Sequence, residues 1–363
     1  MQQIKPFQEK AFALSTGYDT EFSGLPVRTI GLRFTASITG TPVTVRTDAA
    51  HRMLGTPEIN QAENPLIRMS GASWRLLSAI TRGSFDNYNA PATATYMEAN
   101  AVLDLQKIMP TAMINAADKK VFLRGTFGAL TDYAASGNTA HAGSIRAWTE
   151  SSDLDPTNGF LRPRITEASY PLNDSTDNAQ VFKFEQDTVV PFIMVQAFDA
   201  SAIDRVDGLI RNVQVNRVGQ GGTTELARGR WGHFRSFLGA KANFTAADYA
   251  LSAGCIIIPL INRRNPQYNY AEILRAGDSL TINYDTLSTG TIEESYSAVT
   301  AAANDVAKAT VVGFTQVEGT GDVQTQLRTV GGGGASAGGV VQAVARNAKE
   351  RRALARAQRF GAQ

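Results

Sequence analysis

Between Ile30 and Ile38 the chain alternates strictly, with Ile30, Leu32, Phe34, Ala36 and Ile38 apolar and Gly31, Arg33, Thr35 and Ser37 between them. A period of two puts successive side chains on opposite faces of a pleated strand, so this segment predicts a half-buried strand. Further strands are predicted at 43–46, 65–69, 101–108, 121–127, 181–185, 190–198, 209–215, 253–261, 279–284 and 310–317. Turn signals separate them at Asn158-Gly159, 219–222, Asn265-Pro266 and 319–321. Helical spacing is confined to two short places, Trp74/Leu76/Leu77/Ile80 and Trp231/Phe234/Phe237/Leu238, each giving one apolar face over two turns. The pattern is that of β-sandwiches with long loops and two embedded helices.

The two helices suggest an internal repeat. In the first half, a strand from Pro26 precedes Leu66-Ile67-Arg68, Trp74, an apolar strand at Leu103 and another at Phe122. In the second, Pro191, Leu209-Ile210-Arg211, Trp231, Ile257 and Leu280 follow in the same order. The intervals from first strand to Trp, to apolar strand, to last strand are 48, 29 and 19 residues against 40, 26 and 23. Each half is of ordinary domain size. The alternative is a single large sandwich, or two unrelated β-rich domains.

The chain has 363 residues, 43% apolar and 19% charged, a folded composition rather than a disordered one. Its longest apolar runs, near 189–195 and 255–261, are far shorter than the roughly 20 residues a bilayer crossing needs. The first nine residues carry Lys5 and Pro6 with no apolar core behind them, so Sec export is not expected. Cys255, the one cysteine, excludes an intrachain disulfide or a multi-cysteine zinc site, and its apolar neighbours make it a small buried hydrophobe. The net charge of +2 is uneven: residues 331–363 carry +5 and the preceding 330 carry −3.

The strand Leu25-Pro26-Val27-Arg28-Thr29-Ile30-Gly31-Leu32-Arg33-Phe34, followed by a second strand with a short helix behind it and then an apolar strand, all occurring twice, resembles the double jelly-roll major capsid proteins. These include the coat proteins of tectiviruses and corticoviruses and the adenovirus hexon. The resemblance covers residues 12–330 and lies in layout rather than in a motif. It implies an all-β fold of two tandem eight-stranded jelly rolls, 1–170 and 171–330, with short loop helices. It also implies a homotrimeric, pseudo-hexameric capsomer in an icosahedral shell, lateral contacts between trimers, and vertex or penton and minor capsid proteins as partners. The expected location is the virion capsid, assembled in the host cytoplasm, of a tailless virus with an internal membrane.

Residues 331–339 form a glycine-rich tether. Beyond it, 341–359 is rich in Ala, Arg, Gln, Leu and Lys with no Gly or Pro, so it predicts a helix that forms on a partner. Lys349, Arg352, Arg356 and Arg359 share a face, with Arg346 and Arg351 adding charge. Lipid headgroups and genome phosphates both suit such a segment, and the resemblance favours the membrane. A solvated tail without a target is the plain alternative. Trp74 and Trp231 are the expected anchors, either of helix to sandwich or of subunit to subunit.

Catalytic and metal chemistry finds little support. His51, His141 and His233 stand apart, without HExxH or His-x-His spacing. His51 suits a short helix, and His233 a structural role beside Trp231. The Gly331 run lacks the Lys-Ser/Thr of a phosphate loop. Asp153/Asp155 and Asp174/Asp177 are loop carboxylates with oxygen donors suited to Ca²⁺ but no EF-hand spacing, and Glu293-Glu294 has no catalytic partner. No enzyme activity, cofactor or metal is expected. A tailed-phage coat would need a long spine helix, and no helical pattern before Val330 reaches fifteen residues. A carbohydrate-binding or carbohydrate-active sandwich has only Tyr268 and Tyr270 in its favour.

Overall fold

The computed structural model describes residues 4–312 apart from 8, 23, 25, 63, 86–95, 109–111, 117–118, 152–161, 173–177, 185–187, 199–203, 261–271, 275 and 287–307. The first half holds β1 (Ile4–Pro6), β2 (Lys10–Ala11), β3 (Gly17–Phe22), β4 (Val27–Val45), β5 (Glu58–Gln61), β6 (Asn64–Arg68), β7 (Tyr96–Asp104), β8 (Val121–Thr126) and β9 (Ala134–Ser151). Its helices are α1 (Ala49–Arg52), α2 (Gly71–Arg82), α3 (Leu105–Ile108) and α4 (Leu130–Tyr133). After β10 (Ile165–Pro171) come β11 (Asn178–Lys183), β12 (Thr188–Val190), β13 (Phe192–Phe198), β14 (Ile210–Gly219), β15 (Gly222–Arg230), α5 (Trp231–Ala242), α6 (Ala246–Leu251), β16 (Cys255–Pro259), β17 (Glu272–Leu274), β18 (Ser279–Thr286) and β19 (Lys308–Val312).

Two sheets of the first half run β1-β9-β4-β7, with β2 also on β9, and β3-β8-β5-β6. The second half repeats both, as β19-β13-β16 and β11-β18-β14-β15. Between them β10 pairs in parallel with β6 through Ile165↔Ile67 and Thr166↔Arg68, and antiparallel with β19 from Glu167↔Val312 to Pro171↔Lys308. One eight-stranded sheet, β16-β13-β19-β10-β6-β5-β8-β3, therefore runs through both halves.

The alternation of Ile30 to Ile38 lies in β4, where all five apolar side chains are buried. The unbroken apolar runs have a different cause. In β13, Ile193, Val195 and Ala197 enter the second core and Met194 the first; in β16, Ile256 and Ile258 enter the second core and Cys255 and Ile257 the first. A strand buried on both faces has no polar side to alternate. The helices are set by their ends. Ser70 caps α2 by accepting the Ser73 N–H at 3.3 Å, and Gly83 closes it at φ 85°, its N–H donating to the Ala79 carbonyl.

Three sequence expectations change. Residues 101–108 are not one strand: β7 stops at Asp104, whose carboxylate accepts the Gln106 N–H at 3.0 Å and starts the turn α3. The long strand β9 has weak strand propensity, being rich in Ala, Ser and Gly, and forms because β4 pairs with it from Val27↔Ser151 to Val45↔Ala134. Finally, Leu66-Ile67-Arg68 and Leu209-Ile210-Arg211 are not equivalent. The first triplet lies in β6, whose counterpart in sheet order is β15, whereas the second opens into β14, the counterpart of β5.

Glycine lets β4 and β9 approach. A Cβ on Gly143 would lie 2.1 Å from the Thr35 carbonyl oxygen, a backbone atom that cannot swing aside. Gly143→Ala is expected to cost about 1–3 kcal/mol, the usual range for overpacking. Gly221→Ala, at a position with nothing within 4 Å of a new Cβ, should leave the urea midpoint of the folded chain unchanged.

Candidate functional site

The seam between the halves is where the chain buries its charge. Asp48 precedes α1 in the left-handed region at φ 60°, which Asp tolerates better than most residues. Its fully buried carboxylate meets the Arg75 guanidinium from α2 and, at 2.8 Å, Arg205 from the second half. Arg205 also donates to the Leu251 carbonyl at 3.0 Å, and the Thr47 N–H donates to Asp204 at 3.2 Å. Burial opposes the Asp48 charge, and Arg205 and Arg75 outweigh it, holding the carboxyl below its ordinary value. His51 is buried beside this pair. Burial, with Arg75 adding to it, pushes its imidazole down to about 4. Its Nε2 lies 2.9 Å from the Asn100 carbonyl, so the neutral ring carries its proton there.

A second cluster repeats the arrangement. Asp207 accepts from Trp231 Nε1 at 2.8 Å, from the Gly254 N–H at 3.0 Å and from Arg235 at 3.4 Å. Arg235 also donates to Ser252 at 2.7 Å and to the Tyr249 carbonyl at 2.6 Å, and its guanidinium lies 4.0 Å over the Tyr249 ring. The Asp precedes its Arg by 27 residues in the first half and by 28 in the second. That spacing is present in the sequence, but charge pairs carry no hydrophobic period to mark them.

Helices α2 and α5 meet at their C-terminal ends. The Phe85 and Phe244 rings pack at a tilt with centroids 5.5 Å apart, the Phe85 N–H donates to Asp248 at 3.2 Å, and a Cβ on Gly83 would lie 2.9 Å from the Ala242 carbonyl oxygen. Farther along α2, Gln196 of β13 donates to Ser73 at 2.8 Å, and Glu167 of β10 accepts the Ser70 N–H at 2.6 Å. Helix α2 is thereby held by residues from both sides of the seam.

Of the residues singled out in the sequence, Trp74 is fully buried in the first core and Trp231 is 1% exposed in the second. Each indole is thus buried in the core of its own half. His51 lies in α1 and His233 is exposed on α5. Cys255 is buried on the seam, its thiol pushed up to about 12 by burial. Arg346, Lys349, Arg351, Arg352, Arg356, Arg359, the loop carboxylates Asp153, Asp155, Asp174, Asp177, Glu293 and Glu294, and Tyr268 and Tyr270 lie outside the described residues.

No family model and no curated protein matches the sequence. Solved structures do. The crystal structure of the STIV major capsid protein matches with a TM-score of 0.64 at 10% identity, over 87% of this chain and 97% of that one. A chain in the atomic structure of Sulfolobus Turreted Icosahedral Virus gives 0.66 at 12% identity, over 91% and 95%. One in the PBCV-1 virus capsid gives 0.56 at 11% identity, over 86% and 93%. The chain has the double jelly-roll fold of viral major capsid proteins. These matches span nearly the whole of each of those coat chains. In this double jelly roll the Asp48–Arg75–Arg205 cluster ties the two rolls together, and the Asp207 cluster fixes α5 within the second.

Removing the shared carboxylate leaves two buried guanidinium charges facing each other without compensation. Asp48→Asn is therefore expected to lower unfolding free energy by about 3–5 kcal/mol in urea titrations. The His51 imidazole titrates lower folded than unfolded, so its contribution is complete above pH 6.5 and is lost as pH falls toward about 4. Thermal midpoints across that window should fall less steeply in His51→Gln than in the parent chain.

Proposed function

We propose that this protein is a major capsid protein, a coat subunit that assembles as a homotrimer into pseudo-hexameric building blocks of an icosahedral shell. The observation that carries this reading is the duplication itself: two jelly rolls with the same sheet orders, joined through one sheet, over nearly the full length of known coat chains. A duplicated subunit gives a trimer six similar wedges, which tile hexagonal lattice positions with one gene product. Residues 1–170 and 171–330 serve as the two wedges and 331–363 as an appended arm. Its neighbours are further copies of itself, with vertex and minor capsid proteins closing the shell, and its place is the virion after assembly in host cytoplasm. The work is assembly rather than catalysis.

The basic arm faces inward in this reading, with Arg346, Lys349, Arg351, Arg352, Arg356 and Arg359 against the anionic leaflet of an internal membrane. Each such charge contributes about 1 kcal/mol at an anionic surface, so many copies on one shell bind together.

Mass photometry of the full chain should show a species of three times the 38.9 kDa subunit mass. A single 38.9 kDa species at every concentration, including conditions that drive shell assembly, would overturn the coat assignment. In flotation assays, vesicles containing phosphatidylserine should carry the protein upward, and replacing Arg351, Arg352, Arg356 and Arg359 with Gln should abolish this. Equal flotation of both proteins would remove the membrane role, and retention of salt-sensitive RNA or DNA binding by the parent chain alone would assign the arm to the genome.

A further inference from the structure

The two halves meet through a strand that belongs to both. β10 lies antiparallel on the outer edge of β19 and parallel on the outer edge of β6, so it welds the β16-β13-β19 sheet to the β6-β5-β8-β3 sheet. The duplication assigns every strand of this seam a counterpart: β16, β13 and β19 correspond to β7, β4 and β9, and β6, β5, β8 and β3 correspond to β15, β14, β18 and β11. On β9 the place that β10 fills on β19 is occupied by β1 and β2, also antiparallel, from Ile4↔Glu150 to Ala11↔Ser144. The counterpart of the welded β6 edge is β15, which ends its sheet among the described residues.

We infer that β1 and β2 of one copy receive the β15 edge of a second copy in parallel, so that the sheet continues from subunit to subunit in the order β7-β4-β9-β1/β2 and then β15-β14-β18-β11. This rests on the reading of the chain as a self-assembling coat subunit and names the strands that form its subunit contact. Both edges have the chemistry to pair. β15 is nine residues long and exposed along most of its length, a template for strand addition. The Phe7 N–H donates to the Ala147 carbonyl at 2.9 Å, so by strand alternation the Lys5 backbone also faces β9 while Ile4 and Pro6 face outward. The outer side then offers the Ile4 N–H and the Ile4 and Pro6 carbonyls. Pro6 has no N–H to leave unpaired there, and proline is tolerated at a strand edge for this reason. Each copy presents both halves of the contact, one edge from each jelly roll, so copies join head to tail, and they form a ring where the rotation between them closes.

The test is cross-linking between two full-length variants that each carry one introduced cysteine. Lys5→Cys chains and Arg228→Cys chains are prepared separately, with Cys255 left in place because it is buried. They are mixed after dissociation, reassembled and treated with a short bis-maleimide. The expected result is a two-chain product containing one of each variant, lost when Arg228→Cys is replaced by Val181→Cys on the opposite edge of that sheet. Amide exchange across Gly222–Arg230 should also slow in the oligomer relative to the dissociated chain. An oligomer that yields no mixed product overturns the strand pairing and leaves assembly standing. A Lys5→Cys/Arg228→Cys double variant that links only within one chain does the same. A chain that stays monomeric in mass photometry overturns both.

Discussion

Everything in this chain leans on a wall that has two insides. Strands β13 and β16 send alternate side chains into different hydrophobic cores, Val195 and Ile256 to one side and Met194 and Ile257 to the other. Such a strand has no solvent face, so its stability depends on both jelly rolls being present and seated against it. The apolar surface it removes from water is counted in both cores, at about 25 cal/mol per Å². Separation of the rolls would expose one face of each strand. The wall therefore makes a two-domain chain behave as one structural unit.

Hydrophobic burial is non-directional and would tolerate several ways of seating one roll on the other. The Asp48 cluster does not. Asp48 must meet Arg75 of the first half and Arg205 of the second together, because each buried charge is costly unless paired. The attraction itself adds little net stability once desolvation is subtracted. What it supplies is selection of one orientation among many.

The same geometry links fold to assembly. The seam made inside the chain by β10 sets the angle between the two rolls, and in the proposed assembly a ring closes only if the seam between chains repeats that angle. The buried Trp74 and Trp231 leave the outward surfaces to strands and to the helices α5 and α6, whose Phe237, Tyr249 and Leu251 remain exposed.

Local periodicity determined a good part of this protein. The alternation of Ile30 to Ile38, the helices at Trp74 and Trp231, the Gly219–Gly222 turn and the order of elements in the two halves were all readable, because one-sided burial and helical spacing leave a period in the residues. Tertiary structure alone decided the rest. β9 is a strand because β4 pairs with it, against its own weak propensity, and the run 255–258 owes its missing alternation to a second core that no local pattern announces. The Asp48–Arg75–Arg205 cluster joins residues 27 and more apart in sequence, and single charges carry no period. Strand equivalence likewise had to come from sheet order: Leu66-Ile67-Arg68 and Leu209-Ile210-Arg211 look alike, yet only hydrogen-bonded neighbours reveal that they occupy different places in the two jelly rolls.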